Sequence, residues 1–138
     1  MIVLDTNVIS ALMRMSPEEK VIAWLDRQPR TSIWITSVTV LEVRFGLQIM
    51  AAGKRRVVLM QAFDRLVEKL DQRVLPFDIA AAEQAATLMA VRNKRGQPVE
   101  LRDTLIAGIV LAQRASLATR NRTHFADAAV PLINPWLE

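Results

Sequence analysis

The sequence predicts an α/β fold: one domain over residues 1–138, built on a mainly parallel, twisted sheet of four or five strands flanked by helices. Three observations carry that expectation. Short apolar runs alternate with longer segments of helical period along the whole chain. The first run, Ile2-Val3-Leu4, is continuous rather than alternating, as in a strand covered on both faces of a parallel sheet. Half of the 138 residues (51%) are hydrophobic and only 23% are charged, which suits one buried core and argues against disorder.

Strand one stops at Asp5. Thr6 and Asn7 then supply turn and N-cap chemistry for a helix over residues 8–13. Ser16 reads as the next N-cap, with Pro17 at the first helical position and Glu18 and Glu19 complementing the dipole. That helix runs to about Gln28, before Pro29, and turns Val21, Trp24 and Leu25 inward. Residues 33–35 form strand two, ending in Thr36 and Ser37. A helix follows to Met50, with Val38, Leu41, Phe45 and Ile49 at helical spacing. Gly53 breaks the chain before an amphipathic helix over residues 55–70. Val74 and Leu75 make a short strand closed by Pro76. Residues 79–95 form an alanine-rich helix ended by Gly96. Gln97 and Pro98 open another, which carries Leu101, Leu105, Ile106 and Ile109 and ends near Arg114. Leu117 and Ala118 form strand four, and residues 132–134 a fifth, ended by Pro135. Such alternation implies right-handed parallel crossovers.

The net charge is +4 and the sequence pI is about 10.3. Basic clusters fall at Lys54-Arg55-Arg56, Arg92-Asn93-Lys94-Arg95 and Arg120-Asn121-Arg122. They fit a polyanionic partner such as nucleic acid, or a solvated basic surface. Scarce aromatics and the absence of tyrosine exclude a platform that stacks successive bases. With no cysteine there is no disulfide framework, thiolate nucleophile or thiolate metal site. The first apolar run is interrupted at Asp5 and lacks a basic leader, so it does not read as a signal peptide. No stretch is long enough to span a bilayer. The expectation is a soluble cytoplasmic protein with no membrane partner.

Ligands of open α/β sheets bind beyond the carboxyl ends of the strands, so the acids placed there decide the chemistry. Asp5 follows strand one and is either a cation ligand or the cap of the next helix. Glu42 follows strand two and is either a site residue or the reaching acid of a capping box with Thr39. Asp103 opens a helix, where acids are also ordinary dipole partners, and Arg102 beside it can pair with a carboxylate. Taken together, three acids near helix amino ends on one sheet edge form the hard-oxygen set that Mg²⁺ or Mn²⁺ prefers.

Four segments, Leu4-Asp5-Thr6-Asn7, Thr39-Val40-Leu41-Glu42-Val43-Arg44-Phe45-Gly46, Arg102-Asp103-Thr104-Leu105-Ile106-Ala107 and Ala118-Thr119-Arg120-Asn121, resemble in order the motifs of PIN-domain ribonucleases. The chain looks most like the VapC toxins and their FitB-like branch, whose ending resembles Asn134-Pro135-Trp136. The resemblance covers essentially the whole chain. It implies a PIN-like fold and an Mg²⁺-dependent endoribonuclease that hydrolyses RNA phosphodiester bonds with metal-activated water. It further implies the toxin role in a toxin–antitoxin pair, with a small VapB-type antitoxin.

Position by position, Asp5, Glu42 and Asp103 match the acidic, catalytic residues. Asp5 and Asp103 would hold the metal, with Glu42 bound directly or through water, or orienting the water as a base. The fourth position carries Asn121, a weaker neutral ligand. Thr6, Asn7, Thr119 and Asn121 are the expected supporting residues. Thr6, Ser10 and Thr119 either hold the carboxylates or satisfy local turns. His124 stands where relatives often have another acid and reads as a capping or surface residue. Val57, Leu59, Phe63, Leu66 and Leu70 give helix 55–70 surplus apolar surface, so a homodimer is expected, with an antitoxin segment lying in a groove. Two other functions compete. One is a phosphohydrolase with Asp5 as nucleophile, although Asn7 occupies the place of its usual second acid. The other is a noncatalytic module whose acids bind an antitoxin or structural Mg²⁺, or whose surface binds nucleic acid.

Overall fold

A computed structural model describes residues 1–97 and 100–138. In chain order the elements are β1 (Ile2–Leu4), α1 (Thr6–Met13), α2 (Glu19–Asp26), β2 (Ile33–Thr36), α3 (Ser37–Ile49), α4 (Lys54–Leu70), β3 (Val74–Leu75), α5 (Ile79–Lys94), α6 (Leu101–Gln113), β4 (Ser116–Ala118) and β5 (Leu132–Ile133). Short 3₁₀ turns span Arg30–Ser32 and Arg122–His124. All five strands pair in parallel, in the order β3-β2-β1-β4-β5. Chain order reverses at β1, with β2 on one side and β4 on the other. The crevice at that switch point is where α/β sheets present ligand sites.

Successive side chains of β1 point to opposite faces, and each seeds one half of the core. Val3 packs with Ile106, Val110, Leu117 and Phe125 under α5 and α6. Leu4 packs with Val8, Ile9, Ile35 and Phe63 under α1 to α4. Both β1 residues are buried, which explains the continuous apolar run.

Several local expectations change. Asp5 itself, rather than Thr6 or Asn7, is the N-cap of α1, since its carboxylate accepts from the Thr6 N–H. Ser16 caps nothing: α2 begins at Glu19 behind Glu18, with no side-chain cap. The start expected at Gln97 and Pro98 fails at Gln97, which lies outside any helix; Pro98 lies outside the described residues, and α6 begins at Leu101 after its cap Glu100.

In α3 the buried side is Val38, Thr39, Val43 and Leu47, whereas Leu41, Phe45 and Ile49 are 63%, 51% and 69% exposed. The helix carries two apolar stripes, and the helical spacing of the sequence cannot say which faces the sheet. Thr36, which caps the helix and accepts from the Thr39 N–H, settles its rotation. In α4, Phe63 and Leu70 are buried and Leu59 and Leu66 pack on the core, so of the expected surplus stripe only Val57 stays exposed.

Candidate functional site

The Asp5 N–H continues the ladder of β1 by donating to the Ala118 carbonyl of β4 at 2.9 Å, so its side chain emerges at the switch point. Its Oδ1 accepts from the Thr6 N–H at 2.8 Å. Its Oδ2 accepts from the Thr119 hydroxyl at 2.7 Å and from Asn7 Nδ2 at 3.2 Å. Asn7 is held in turn, because its Oδ1 accepts from the Arg120 N–H at 3.2 Å. Asn121 contributes its backbone N–H, which donates to Thr119 Oγ1 at 3.0 Å. The two chain segments 5–7 and 119–121 therefore form one hydrogen-bonded unit around a single carboxylate.

That carboxylate is 3% exposed. Burial pushes its pKa up to about 6; the Thr119 hydroxyl and Thr6 N–H oppose the rise, while the negative charges of Asp103 and Glu42 add to it. Asp5 is thus a buried acid with other acids nearby. Among the described residues it has no cationic partner within ion-pair distance.

Glu42 stands in the second turn of α3, beyond reach of a capping box, because Thr36 rather than Thr39 caps the helix. Its Oε1 accepts from the Thr6 hydroxyl at 2.9 Å. Thr6 Oγ1 lies 3.0 Å from Thr39 Oγ1, which lies 3.4 Å from Thr36 Oγ1. With one proton per hydroxyl, the donor direction runs Thr36 to Thr39 to Thr6 to Glu42. On its other side Glu42 Oε2 lies 3.7 Å from Arg102 Nη1, a long and half-exposed ion pair.

Asp103 sits in the first turn of α6, with its Oδ2 2.7 Å from His124 Nδ1. His124 is about half exposed, a surface residue as expected, and its ring also contacts Asp103. Sequence reasoning also missed Arg92, which it counted in a basic cluster. Arg92 is 5% exposed. Its guanidinium donates to both Asp127 oxygens at 2.9 and 2.8 Å, to Thr104 Oγ1 at 2.8 Å and to the His124 carbonyl at 2.8 Å. It therefore ties the residue after Asp103 to the backbone that presents His124. Nothing local in the sequence marks this, since Asp127 lies far along the chain.

Asp5, Thr6, Asn7, Glu42 and Thr119 are joined directly by hydrogen bonds, and Asp103 reaches Asp5 through charge. Among the described residues no three Asp, Glu or His side chains already stand in a metal-holding arrangement. Ser10 is exposed and lines the groove below Thr6. The donor set fits a hard divalent cation: carboxylates of one sign, one of them buried and pushed toward neutrality by its surroundings.

The PIN domain family matches residues 2–131. The chain belongs to that family. It is 41% identical over 137 residues to the VapC ribonuclease Y4jK of Sinorhizobium fredii, covering 99% of this chain and 98% of that one. It is 34% identical to the toxin FitB of Neisseria gonorrhoeae, covering 99% of each chain. The crystal structure of FitAcB from Neisseria gonorrhoeae superposes with a TM-score of 0.89 at 34% identity, again over 99% of each chain. This PIN domain therefore falls with the VapC and FitB toxins.

Proposed function

We propose that this chain is a Mg²⁺-dependent endoribonuclease, with Mn²⁺ able to substitute, and the toxin of a toxin–antitoxin pair. The observation that carries the proposal is Asp5: a carboxylate at the switch point, gripped by Thr119, Asn7 and the Thr6 N–H, whose pKa burial pushes up to about 6, with the charges of Asp103 and Glu42 adding to the rise. Asp5 does cap α1 through the Thr6 N–H, but that contact does not call for a buried charge near two further acids, and a cation site does. Asp5 and Asp103 are the residues to hold the ion, with Glu42 beside them. When bound, Mg²⁺ supplies an acidified water and offsets charge developing on the phosphate.

The chain's own groups do the rest. Glu42, oriented by the Thr6 hydroxyl, accepts a proton from the attacking water. Thr119 and Asn7 fix the Asp5 carboxylate, and His124 fixes that of Asp103. Covalent capture by Asp5 is disfavoured, because both of its oxygens are hydrogen-bonded and it is 3% exposed. A cytoplasmic location is part of the proposal, since that is where cellular RNA is met; among the described residues no helix is long and apolar enough to cross a membrane.

The partner is a small VapB-type antitoxin. A cavity of about 570 Å³ supports this: Thr6, Glu42, Met13, Met50, Leu59 and Arg55 line it, which sets an apolar wall beside one of the acids, Glu42. A larger cavity of about 630 Å³ contains none of Asp5, Glu42 and Asp103, and Arg30, Arg65, Lys69 and Arg73 are among its lining residues. A homodimer completes the proposal. Its support is the exposed stripe Leu41, Phe45 and Ile49 on α3, with Val57 on α4.

The test is cleavage of single-stranded RNA by purified protein. Activity with Mg²⁺ or Mn²⁺, loss in EDTA and loss in Asp103→Asn are expected. Cleavage that persists in chelator, with contaminating nuclease excluded by that variant, would overturn the mechanism.

A further inference from the structure

Beside the carboxylate network stands a stacked pair, Arg120 on Trp136, whose guanidinium takes no part in that network. Arg120 follows Thr119, whose hydroxyl donates to Asp5, and its own N–H donates to Asn7 Oδ1 at 3.2 Å. Its backbone is thus two hydrogen bonds from the buried carboxylate. Its guanidinium carbon lies 4.9 Å from the centroid of the Trp136 ring. Trp136 is anchored in turn: its backbone N–H donates to Asn134 Oδ1 at 3.0 Å, and its ring packs against the core cluster that contains Leu4 and Ala118.

Among the described residues no carboxylate lies within ion-pair distance of Arg120, and none of its side-chain N–H groups is hydrogen-bonded. What sets Arg120 apart is the combination of a ring beneath it and no acceptor among the described residues; Arg44, Arg92 and Arg102 differ. Arg44 stacks on Phe63 at 4.7 Å but pairs with Asp64 at 2.7 Å. Arg92 is filled by Asp127, Thr104 and the His124 carbonyl, and Arg102 faces Glu42. An aromatic partner holds the plane of a guanidinium while leaving its edge donors outward, and that fork matches the oxygens of a phosphate. Fixing the side chain beforehand also lowers the entropy lost on binding.

We propose that Arg120, positioned by Trp136, clamps a backbone phosphate of single-stranded RNA adjacent to the bond that is cut, and so sets the register of the strand over the acids. The proposal rests on the ribonuclease reading. It assigns Arg120 to substrate binding, not to the chemical step. A clamp of this kind holds ground state and transition state alike, so its loss raises KM and spares kcat.

The experiment uses the full chain and a labelled single-stranded oligoribonucleotide. Cleavage is followed in Mg²⁺, and binding in chelator over a salt series. Arg120→Ala should raise KM about tenfold, the loss expected for one charged hydrogen-bond contact. Its kcat should stay within about twofold, and the slope of log K against log salt should become shallower by about 0.7, one single-strand phosphate contact. Trp136→Leu should keep the wild-type salt slope yet raise KM. Arg120→Lys, which keeps the charge and spares the core, should also keep the slope with an intermediate KM. Lys20→Ala, which removes a charge from the exposed side of α2, should change neither. If wild type cuts RNA and Arg120→Ala equals it in KM and salt slope, the clamp is wrong and the ribonuclease reading stands. A loss confined to kcat would also overturn it. If wild type neither binds nor cuts RNA, both readings fall.

Discussion

At Asp5 the physics of folding and the proposed function pull in opposite directions. An acid whose folded pKa is raised from 3.8 to about 6 binds its proton more tightly in the native chain than in the unfolded one. Stability from this group is therefore greatest below pH 3.8 and falls as pH rises through the window from 3.8 to about 6. The loss is at most about 3 kcal/mol, from the linkage of pKa to free energy. Asp127 runs the other way. Arg92 holds its carboxyl below the usual range, so its contribution is present above pH 3.8 and is lost on further acidification. The two windows do not overlap. Urea unfolding in chelator should show stability declining from pH 4.5 to pH 7. In Asp103→Asn that decline should be smaller, because one charge that raises the Asp5 pKa is gone. An equal decline in both proteins would mean that Asp103 and Asp5 do not share a field.

Among the elements, α5 and α6 share the most extensive contact, and small residues let them approach closely. A Cβ placed on Gly108 of α6 would lie 2.6 Å from the Ala81 carbonyl oxygen and 2.9 Å from Ala85 Cβ on α5. The first of these is backbone and cannot swing away. Gly to Ala inside a helix ordinarily gains about 1 kcal/mol in propensity. Gly108→Ala should instead destabilise, by about 1–3 kcal/mol as in other overpacked cores. Because α6 carries Asp103 and α5 carries Arg92, the same substitution should lower cleavage as well. Chemical denaturation and the RNA assay read the two effects; a stabilised Gly108→Ala protein would show that the helices can separate at no cost.

For the whole molecule, the parallel sheet of five strands flanked by helices was largely legible in the sequence, whereas the strand order β3-β2-β1-β4-β5 was not. The run Ile2-Val3-Leu4 read as a strand covered on both faces, and Val3 and Leu4 indeed seed the two halves of the core. The positions of Asp5, Glu42 and Asp103 near strand ends and helix starts were legible because local chemistry marks such places. What escaped were relations between distant segments. Two were the rotation of α3, which depends on the Thr36 cap, and the burial of Arg92, which depends on Asp127. The third was the contact of His124 with Asp103. Periodicity showed two apolar stripes on α3 without saying which would meet the sheet. The outer one has a consequence for assembly. Wild type should sediment as a dimer at micromolar concentration, and Phe45→Asp should yield a folded monomer. A monomeric wild type would show that Leu41, Phe45 and Ile49 face solvent unpartnered.

The most direct test of the central claim, that the carboxylates around Asp5 form a divalent-cation site, is calorimetric titration of Mn²⁺ into the metal-free protein at pH 6 in buffers of different ionisation enthalpy. Asp5, with a pKa of about 6, is about half protonated there, so binding should release about half a proton per ion. Asp103→Asn should weaken binding by an order of magnitude or more, in line with the loss of a charged metal ligand. Thr119→Val should weaken it less, because the ligand remains and only its orientation is lost. Wild-type binding with no proton release, together with unchanged affinity in Asp103→Asn, would contradict the claim.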